Sequence, residues 1–537
     1  MIGMRSKVAS IFVFSLNFAR CATALVLSVL LFFTGVGGVF AETMQSVAVR
    51  VTRIDLRGNT VLSSLEVSTL VSQYEGKELM LEELKQVAAK VEEAYRQRGY
   101  FVARAYLPTQ EIKGGVVWIE VIEGRIGDVH VEGNRFYGSR FIVKRLSQPT
   151  GEVLRYGPFQ RSILLLNEFP DLTVKSVFSP GKEEGTTDLL LKVHDRRPLH
   201  VGLDYDNFGN QFIGEKRMGL SLSAGNLVVD GDLFSLRGVH LFSSLLNKPF
   251  IQGTYSFPIN LRDMRVSFSY ANGEFRVGNE FQPLDIRGES DVYGLGVTAP
   301  LRRTATGRSD ISFTLVSKSA HNFIQQNTSS RDELREMVLD YQSSWLGDGM
   351  ARNLLSVALT QGVRAFGATE EGDSNPGPSR QGSGDDFAKL TFSSARVDQL
   401  FPGLFLVFRG AGQVAVEPLA VMEQYSLGGA DTVRGYEQAE FLGDFGYNVS
   451  AEVQKLFLER EGLKVQGAIF VDYGFVGLVD RLPGEAKNHD LTGVGIGLRV
   501  NFGKWGSGRL DVGFPVESNR PTGDRSSIVY GQIAFNL

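Results

Sequence analysis

Val494-Gly495-Ile496-Gly497-Leu498-Arg499-Val500-Asn501-Phe502 places five apolar side chains at alternate positions and Gly, Gly, Arg and Asn between them. A period of two belongs to a β-strand and not to a helix. The same alternation appears in Met264, Val266, Phe268 and Tyr270 against Arg265, Ser267, Ser269 and Ala271, and in Met218, Leu220 and Leu222 against Arg217, Gly219, Ser221 and Ser223. From Leu199 onward such stretches replace any helical period, with one face apolar and the other polar or glycine. That pattern fits a sandwich that buries the apolar face or a membrane barrel that turns it toward lipid. Size separates the two. The 339 residues from position 199 (537 less 198) far exceed the ~100 of a single sandwich. Strands of ~9–11 residues with turns make about 16 strands, and closure removes the sheet edges they would otherwise expose. Residues 199–537 are therefore expected to form an antiparallel transmembrane β-barrel. Within it, residues 368–386 are rich in Gly, Ser, Pro and acid and read as a long surface loop.

The preceding segment is mixed. Val47, Val49 and Val51 alternate, Ile54 and Leu56 resume the alternation, and Gly58-Asn59 makes a turn. Two helical stretches follow, 65–74 and 81–98; in the second, Leu81, Leu84, Val87, Val91 and Tyr95 form an apolar stripe that ends at Gly99. Strand character returns at 101–107 and 116–122. The same order recurs after Gly124, and the turn pair Gly133-Asn134 lies 75 positions (133 less 58) after Gly58-Asn59. This is a tandem repeat of one small α+β domain, 46–123 and 124–198.

At the N-terminus, Arg5, Lys7 and Arg20 precede an apolar run from Ala22 to Phe33, and small residues lead to Val39-Phe40-Ala41. Residues 1–41 read as a signal peptide, with a transmembrane anchor as the alternative. Cleavage after Ala41 would remove Cys21, the only cysteine, and with it disulfides, cysteine zinc sites and thiol chemistry. The 56 basic and 60 acidic residues give a net charge of -4, so no global basic field attracts nucleic acid. Mean hydropathy of -0.05 resembles a soluble protein only because it averages two alternating faces. Glycine is in surplus, 61 of 537 residues or about 11% against a typical ~7%.

Two stretches carry a resemblance. Ser426-Leu427-Gly428-Gly429-Ala430-Asp431-Thr432-Val433-Arg434-Gly435-Tyr436 and Phe470-Val471-Asp472-Tyr473-Gly474 resemble the loop motif and the barrel-wall motif of two-partner secretion transporters, the haemolysin and filamentous-haemagglutinin secretion type. Asn207, Gly209, Gly214, Arg217, Asn226, Gly231 and Asp232 resemble the start of that family's barrel. The resemblance spans about residues 46–537. It implies two periplasmic POTRA-like (polypeptide-transport-associated) domains before the barrel, an outer-membrane location, and a loop at about 417–445 that folds into the lumen. It also implies that Arg434 of that loop pairs with Asp472.

The residues agree with that expectation. In 465–473 the odd positions are Val465, Gly467, Ile469, Val471 and Tyr473, so Asp472 should face the lumen, where a lone acid needs a partner or water. The alternative is an ordinary outer loop and a solvated aspartate. Gly428, Gly429 and Gly435 suit a backbone that must approach a wall closely, with Val433 and Tyr436 beside Arg434 in the loop and Phe470 and Gly474 beside Asp472 on the wall. By resemblance, an unfolded secreted partner protein binds the repeats. The physical mode available is strand addition at Phe101, Val102, Ala103, Arg104, Ala105, Tyr106 and Leu107. Many relatives carry a plug helix before the first repeat, whereas only residues 42–46 lie here between the predicted cleavage site and the first strand. At the other end Val529, Ile533, Phe535 and Leu537 share an apolar face suited to the barrel assembly machinery and to outer-membrane lipid.

Enzymatic function is not expected. No Gly-rich loop ends in Gly-Lys-Ser/Thr, no His-Glu-x-x-His occurs, and six scattered histidines give no metal spacing. No cofactor or metal is expected. The rival readings are a barrel-assembly factor of the same superfamily, against which two repeats instead of three or more argue, and a passive porin or receptor, against which the repeats argue.

Overall fold

The computed structural model describes residues 48–242, 248–370, 372, 376–481, 483–516 and 525–537. The expected signal peptide and residues 42–46 lie outside the described residues.

The first repeat comprises β1 (Val49–Arg50), β2 (Arg53–Arg57), α1 (Ser64–Val71), β3 (Glu78–Leu79), α2 (Leu81–Gln97), β4 (Arg104–Tyr106) and β5 (Val116–Ile122). Ser63 starts α1 with a capping box: the Glu66 amide donates to its hydroxyl, and Glu66 accepts from its amide at 2.8 Å. The sheet order is β2-β5-β4, with β2 parallel to β5. Alternate residues of β5, Val117, Ile119 and Val121, turn inward. The first two of these join a core with Ile54, Leu84 and Val87. Leu81, expected in the apolar stripe of α2, is exposed instead.

The second repeat follows the same plan with β6 (Arg125–Glu132), α3 (Ser139–Lys144), α4 (Tyr156–Leu166), β7 (Leu172–Pro180) and β8 (Thr186–Asp195) in the order β6-β8-β7. The repeat is visible in its strictest constraint. Gly58 and Gly133 both adopt positive φ (80° and 89°), directly after β2 and β6 respectively. A Cβ on either would stand 2.2 Å from the Val121 carbonyl oxygen or 2.4 Å from that of Val193.

The strand expected over 101–107 is shorter. Phe101 and Val102 lie in a turn and Ala103 is buried outside any strand; only Arg104, Ala105 and Tyr106 form β4. The cause is aromatic packing. Phe101 sits edge-on against Tyr156 and Phe178, 5.6 and 5.5 Å between ring centres, and both it and Val102 pack on the second repeat's core. Leu107 packs on the core of the first repeat.

Sixteen strands close the barrel. They are β9 (Leu199–Asp206), β10 (Arg217–Gly225), β11 (Leu233–Leu241), β12 (Phe250–Pro258), β13 (Arg265–Arg276), β14 (Arg287–Thr304), β15 (Gly307–Ile324) and β16 (Asn327–Leu346). They continue with β17 (Arg352–Gly362), β18 (Ala388–Phe401), β19 (Leu404–Ala415), β22 (Phe445–Arg460), β23 (Leu463–Gly477), β24 (Asn488–Asn501), β25 (Gly506–Pro515) and β26 (Ile528–Asn536). β20 (Tyr425–Leu427) and β21 (Phe441–Gly443) pair with each other inside the loop between β19 and β22. Neighbouring barrel strands are antiparallel, and β26 closes on β9 with Gln532 opposite Asp206. Residues opposite one another share a face, so one lumen-facing set can be followed round the wall. Ile496 and Leu498 of the opening stretch are exposed on the outside, while Gly495 and Gly497 face inward. β9 begins four residues after β8 ends, at the end of the barrel next to the second repeat. β19 is the eleventh strand and runs away from that end, so the loop after it starts at the far mouth.

Candidate functional site

Residues 416–444 connect β19 to β22, Phe445 already belonging to β22. The segment turns back into the lumen. A 3-10 turn, Val421–Glu423, leads into the β20–β21 ribbon, whose tip carries Arg434. Gly435 at the tip has φ 109°, and a Cβ there would press on the backbone of β25 at 2.8 Å from the Pro515 nitrogen. Gly428 and Gly429 adopt φ 103° and 107° at the turn that follows β20.

Arg434 is buried, and every nitrogen of its side chain has an acceptor. Nε donates to Asp472 Oδ2 at 2.7 Å and Nη2 to Oδ1 at 2.9 Å, a two-pronged grip completed by the Arg434 amide at 3.1 Å. Nη1 donates to Glu452 Oε2 at 2.7 Å and Nη2 to Ser450 Oγ at 3.3 Å. The guanidinium lies 3.3 Å over the Phe470 ring. Strand parity makes this convergence possible. Ser450 is opposite Asp472, Glu452 is opposite Phe470, and Asp511 lies on the same inward face through Gly497.

The site is larger than the expected pair. Asp511 of β25 holds Arg499 at 2.6 Å and Arg509 at 2.6 Å, and Arg499 reaches Glu452 at 3.0 Å. Arg509 also donates to the Ala430 carbonyl of the loop at 2.8 Å. Three guanidinium groups thus face three carboxylates across four strands and a loop. Buried charge of either sign alone would be expelled; in balance it stays. Glu452, Asp511, Arg499 and Arg509 were absent from the sequence expectation, although each has the inward parity of Asp472 and is charged.

The other expected residues fall around this centre. Val433 and Tyr436 are buried with Leu427, Val476 and Leu491, and the Tyr436 hydroxyl donates to the Thr492 carbonyl at 2.9 Å. Tyr530 of β26 receives the Gly435 amide at 3.0 Å and donates to the Tyr436 carbonyl at 2.5 Å. Gly474 leaves room for the loop: a Cβ there would stand 2.3 Å from Leu427 Cδ1. The structure does not bring residues 101–107 to this site. Arg104–Tyr106 instead forms an edge of the first repeat's sheet, with Arg104 and Tyr106 exposed.

The expected surface loop at 368–386 is in part an inner one. Thr369, Ser383 and Asp385 are buried. Arg380 donates to the buried Asp444 at the foot of the lumen loop and, at 2.5 Å, to the Val479 carbonyl. Its polar composition misled because the polar groups are consumed in tying one loop to another.

Comparison with known proteins agrees with this architecture. A family model described as haemolysin secretion/activation protein ShlB/FhaC/HecB matches residues 185–500, and one described as POTRA domain, ShlB-type, matches residues 49–124. The heme/hemopexin transporter protein HuxB of Haemophilus influenzae (strain 86-028NP) is 26% identical over 508 residues, 90% of this chain and 87% of the relative. The outer membrane transporter CdiB of Dickeya dadantii (strain 3937) is 24% identical over 491 residues, 88% and 84% respectively. Among solved structures, CdiB from Escherichia coli has the same fold, with TM-score 0.75 and 23% identity over 94% of this chain and 93% of that one. With the larger family model covering more than half of its length, the chain belongs to the haemolysin secretion/activation family ShlB/FhaC/HecB, transporters of the outer membrane with periplasmic POTRA domains.

Proposed function

We propose that this chain exports one secreted partner protein as an unfolded chain, captured by the POTRA domains and passed through the lumen when the loop bearing Arg434 moves. Two-partner secretion across the outer membrane is the function of the family; the gate and the capture surface are the added steps. The gate rests on one observation: Arg434 is buried on the barrel wall among Asp472, Glu452 and Ser450 while its own loop occupies the lumen. Removing either partner would leave uncompensated charge in a buried site, at a cost of about 3–5 kcal/mol, enough to free the loop.

Capture has a physical basis in β4, a short edge strand with Arg104 and Tyr106 exposed, which can accept an extended peptide by backbone pairing. Lipid contacts the apolar outer face, and the barrel assembly machinery reads the last strand, whose Val529 and Phe535 are exposed. The family is one of transporters, and export proceeds on this reading without catalysis, driven by folding of the cargo outside.

Deleting the gene and analysing the medium tests the proposal. One large exoprotein should disappear while other outer-membrane barrels stay normal; a general loss of barrels would instead identify an assembly factor. Arg434→Ala and Asp472→Ala should each leave a folded barrel and abolish secretion, and normal secretion by both would refute the gate.

A further inference from the structure

Glu423 lies in the lumen loop ahead of the ribbon, well before Arg434 in the chain, and its side chain is buried. Lys318 of β15 approaches its Oε1 at 2.5 Å and Lys389 of β18 its Oε2 at 2.7 Å. Glu336 of β16 lies 3.0 Å from Lys318 Nζ and supplies the second negative charge. The backbone is gripped as well: Gln413 of β19 donates to the Glu423 carbonyl at 2.9 Å and Lys389 at 3.2 Å. Two ammonium groups and two carboxylates leave the cluster without net charge.

The position of this cluster is what gives it meaning. Round the barrel, β15 is four strands from β19 on one side, whereas Arg434 is held by β22, β23 and β25 on the other. The loop is therefore fastened to both sides of its own root. We propose that Glu423 is a second latch, independent of Arg434, which holds the shoulder of the loop across the outer mouth and must release before cargo passes. The inference rests on the loop being the gate. Buried ion pairs suit such a latch. They hold firmly while intact, because losing one partner strands a charge, yet their net stability over separated, hydrated ions is small. Cargo that brings water into the mouth therefore opens it at little cost.

Conductance of the purified full chain in planar lipid bilayers tests this, with Glu423→Gln, Lys389→Gln, Arg434→Ala and the Glu423→Gln/Arg434→Ala double variant, each checked for a heat-modifiable, folded barrel. The expected result is a several-fold rise in mean conductance for Glu423→Gln and for Lys389→Gln, and a further rise in the double variant above Arg434→Ala alone. Lys389→Gln carries the test if Glu423→Gln does not fold. Wild-type conductance in Glu423→Gln and Lys389→Gln beside a conducting Arg434→Ala would overturn the second latch, as would a double variant equal to Arg434→Ala. An Arg434→Ala barrel no more conducting than the wild type would instead sink the gate itself, and this inference with it.

Discussion

Gly493 of β24 lies flush against Arg434: a Cβ at Gly493 would fall 1.9 Å from the Arg434 carbonyl oxygen. Its neighbour across the strand pair, Pro515, belongs to β25, where a Cβ on Gly513 would come within 2.4 Å of the Gly435 nitrogen. Both obstructions are backbone, which cannot rotate away as a flexible side chain can. The loop tip therefore rests on a bed of inward glycines as much as on its ion pairs. Gly493→Ala should close a barrel normally and yet exclude the loop, raising conductance and reducing secretion. Gly238→Ala, a strand position with nothing within 4 Å, should change neither. Equal conductance of the two variants in bilayers would show that the bed does not hold the loop.

That bed explains part of what was legible in the sequence and part of what was not. Period-two alternation revealed the strands because lipid on one side and water on the other impose it residue by residue. The glycine surplus pointed to close backbone approach, but which glycines meet the loop depends on register across strands far apart in the chain. The same holds for Glu452, Arg499 and Asp511: each is one more polar residue on an inward face until pairing brings it to Arg434. The expected strand at 101–107 failed for a related reason, since Phe101 and Val102 have strand-forming character but are drawn into the second repeat's core.

Arg434→Lys separates charge from geometry. A lysine keeps the positive charge among the acids but cannot span both Asp472 oxygens and reach Glu452 together, as the guanidinium does. Arg434→Lys should therefore retain part of the closed state, conducting between wild type and Arg434→Ala, while secretion falls well below wild type. Secretion equal to wild type would reduce the role of Arg434 to its charge.

Arg380 ties the loop between β17 and β18, here the outer loop, to the foot of the lumen loop through Asp444, which also accepts the Leu419 amide at 3.0 Å and the Val479 amide at 2.7 Å. The adjacent Ser379 hydroxyl accepts the Val421 amide at 3.0 Å. Replacing Arg380 by Ala leaves Asp444 buried without its cation, a change worth about 3–5 kcal/mol locally. The outer loop should then be cleaved several-fold faster by protease added to intact cells, with the barrel still folded. Asp444→Asn should act in the same direction but less, since an amide still accepts from Leu419 or Val479. Cleavage at the wild-type rate in both would show that Arg380 holds nothing in place.

Asp195, the last residue of β8, gives the second repeat a defined response to acid. Its carboxylate accepts the amides of Arg135 at 2.9 Å, Phe136 at 2.7 Å and Tyr137 at 3.0 Å. Burial alone would raise its pKa, but the hydrogen bonds from Tyr137, Arg135 and Phe136 outweigh it and hold the group below the ordinary 3.8. A carboxylate depressed on folding contributes stability that is full above its unfolded value and is lost as pH falls through the folded one. The turn after β6 should thus be stable at neutral pH and weaken only below 3.8. Asp195→Asn should destabilise the repeat by about 1–3 kcal/mol at neutral pH, because one carbonyl oxygen cannot serve all three amides with charge. It should also remove this group's share of the acid response, so urea titrations at neutral pH and at about pH 3 should differ less in the variant than in the wild type. An unchanged difference would place the acid sensitivity of the repeat elsewhere.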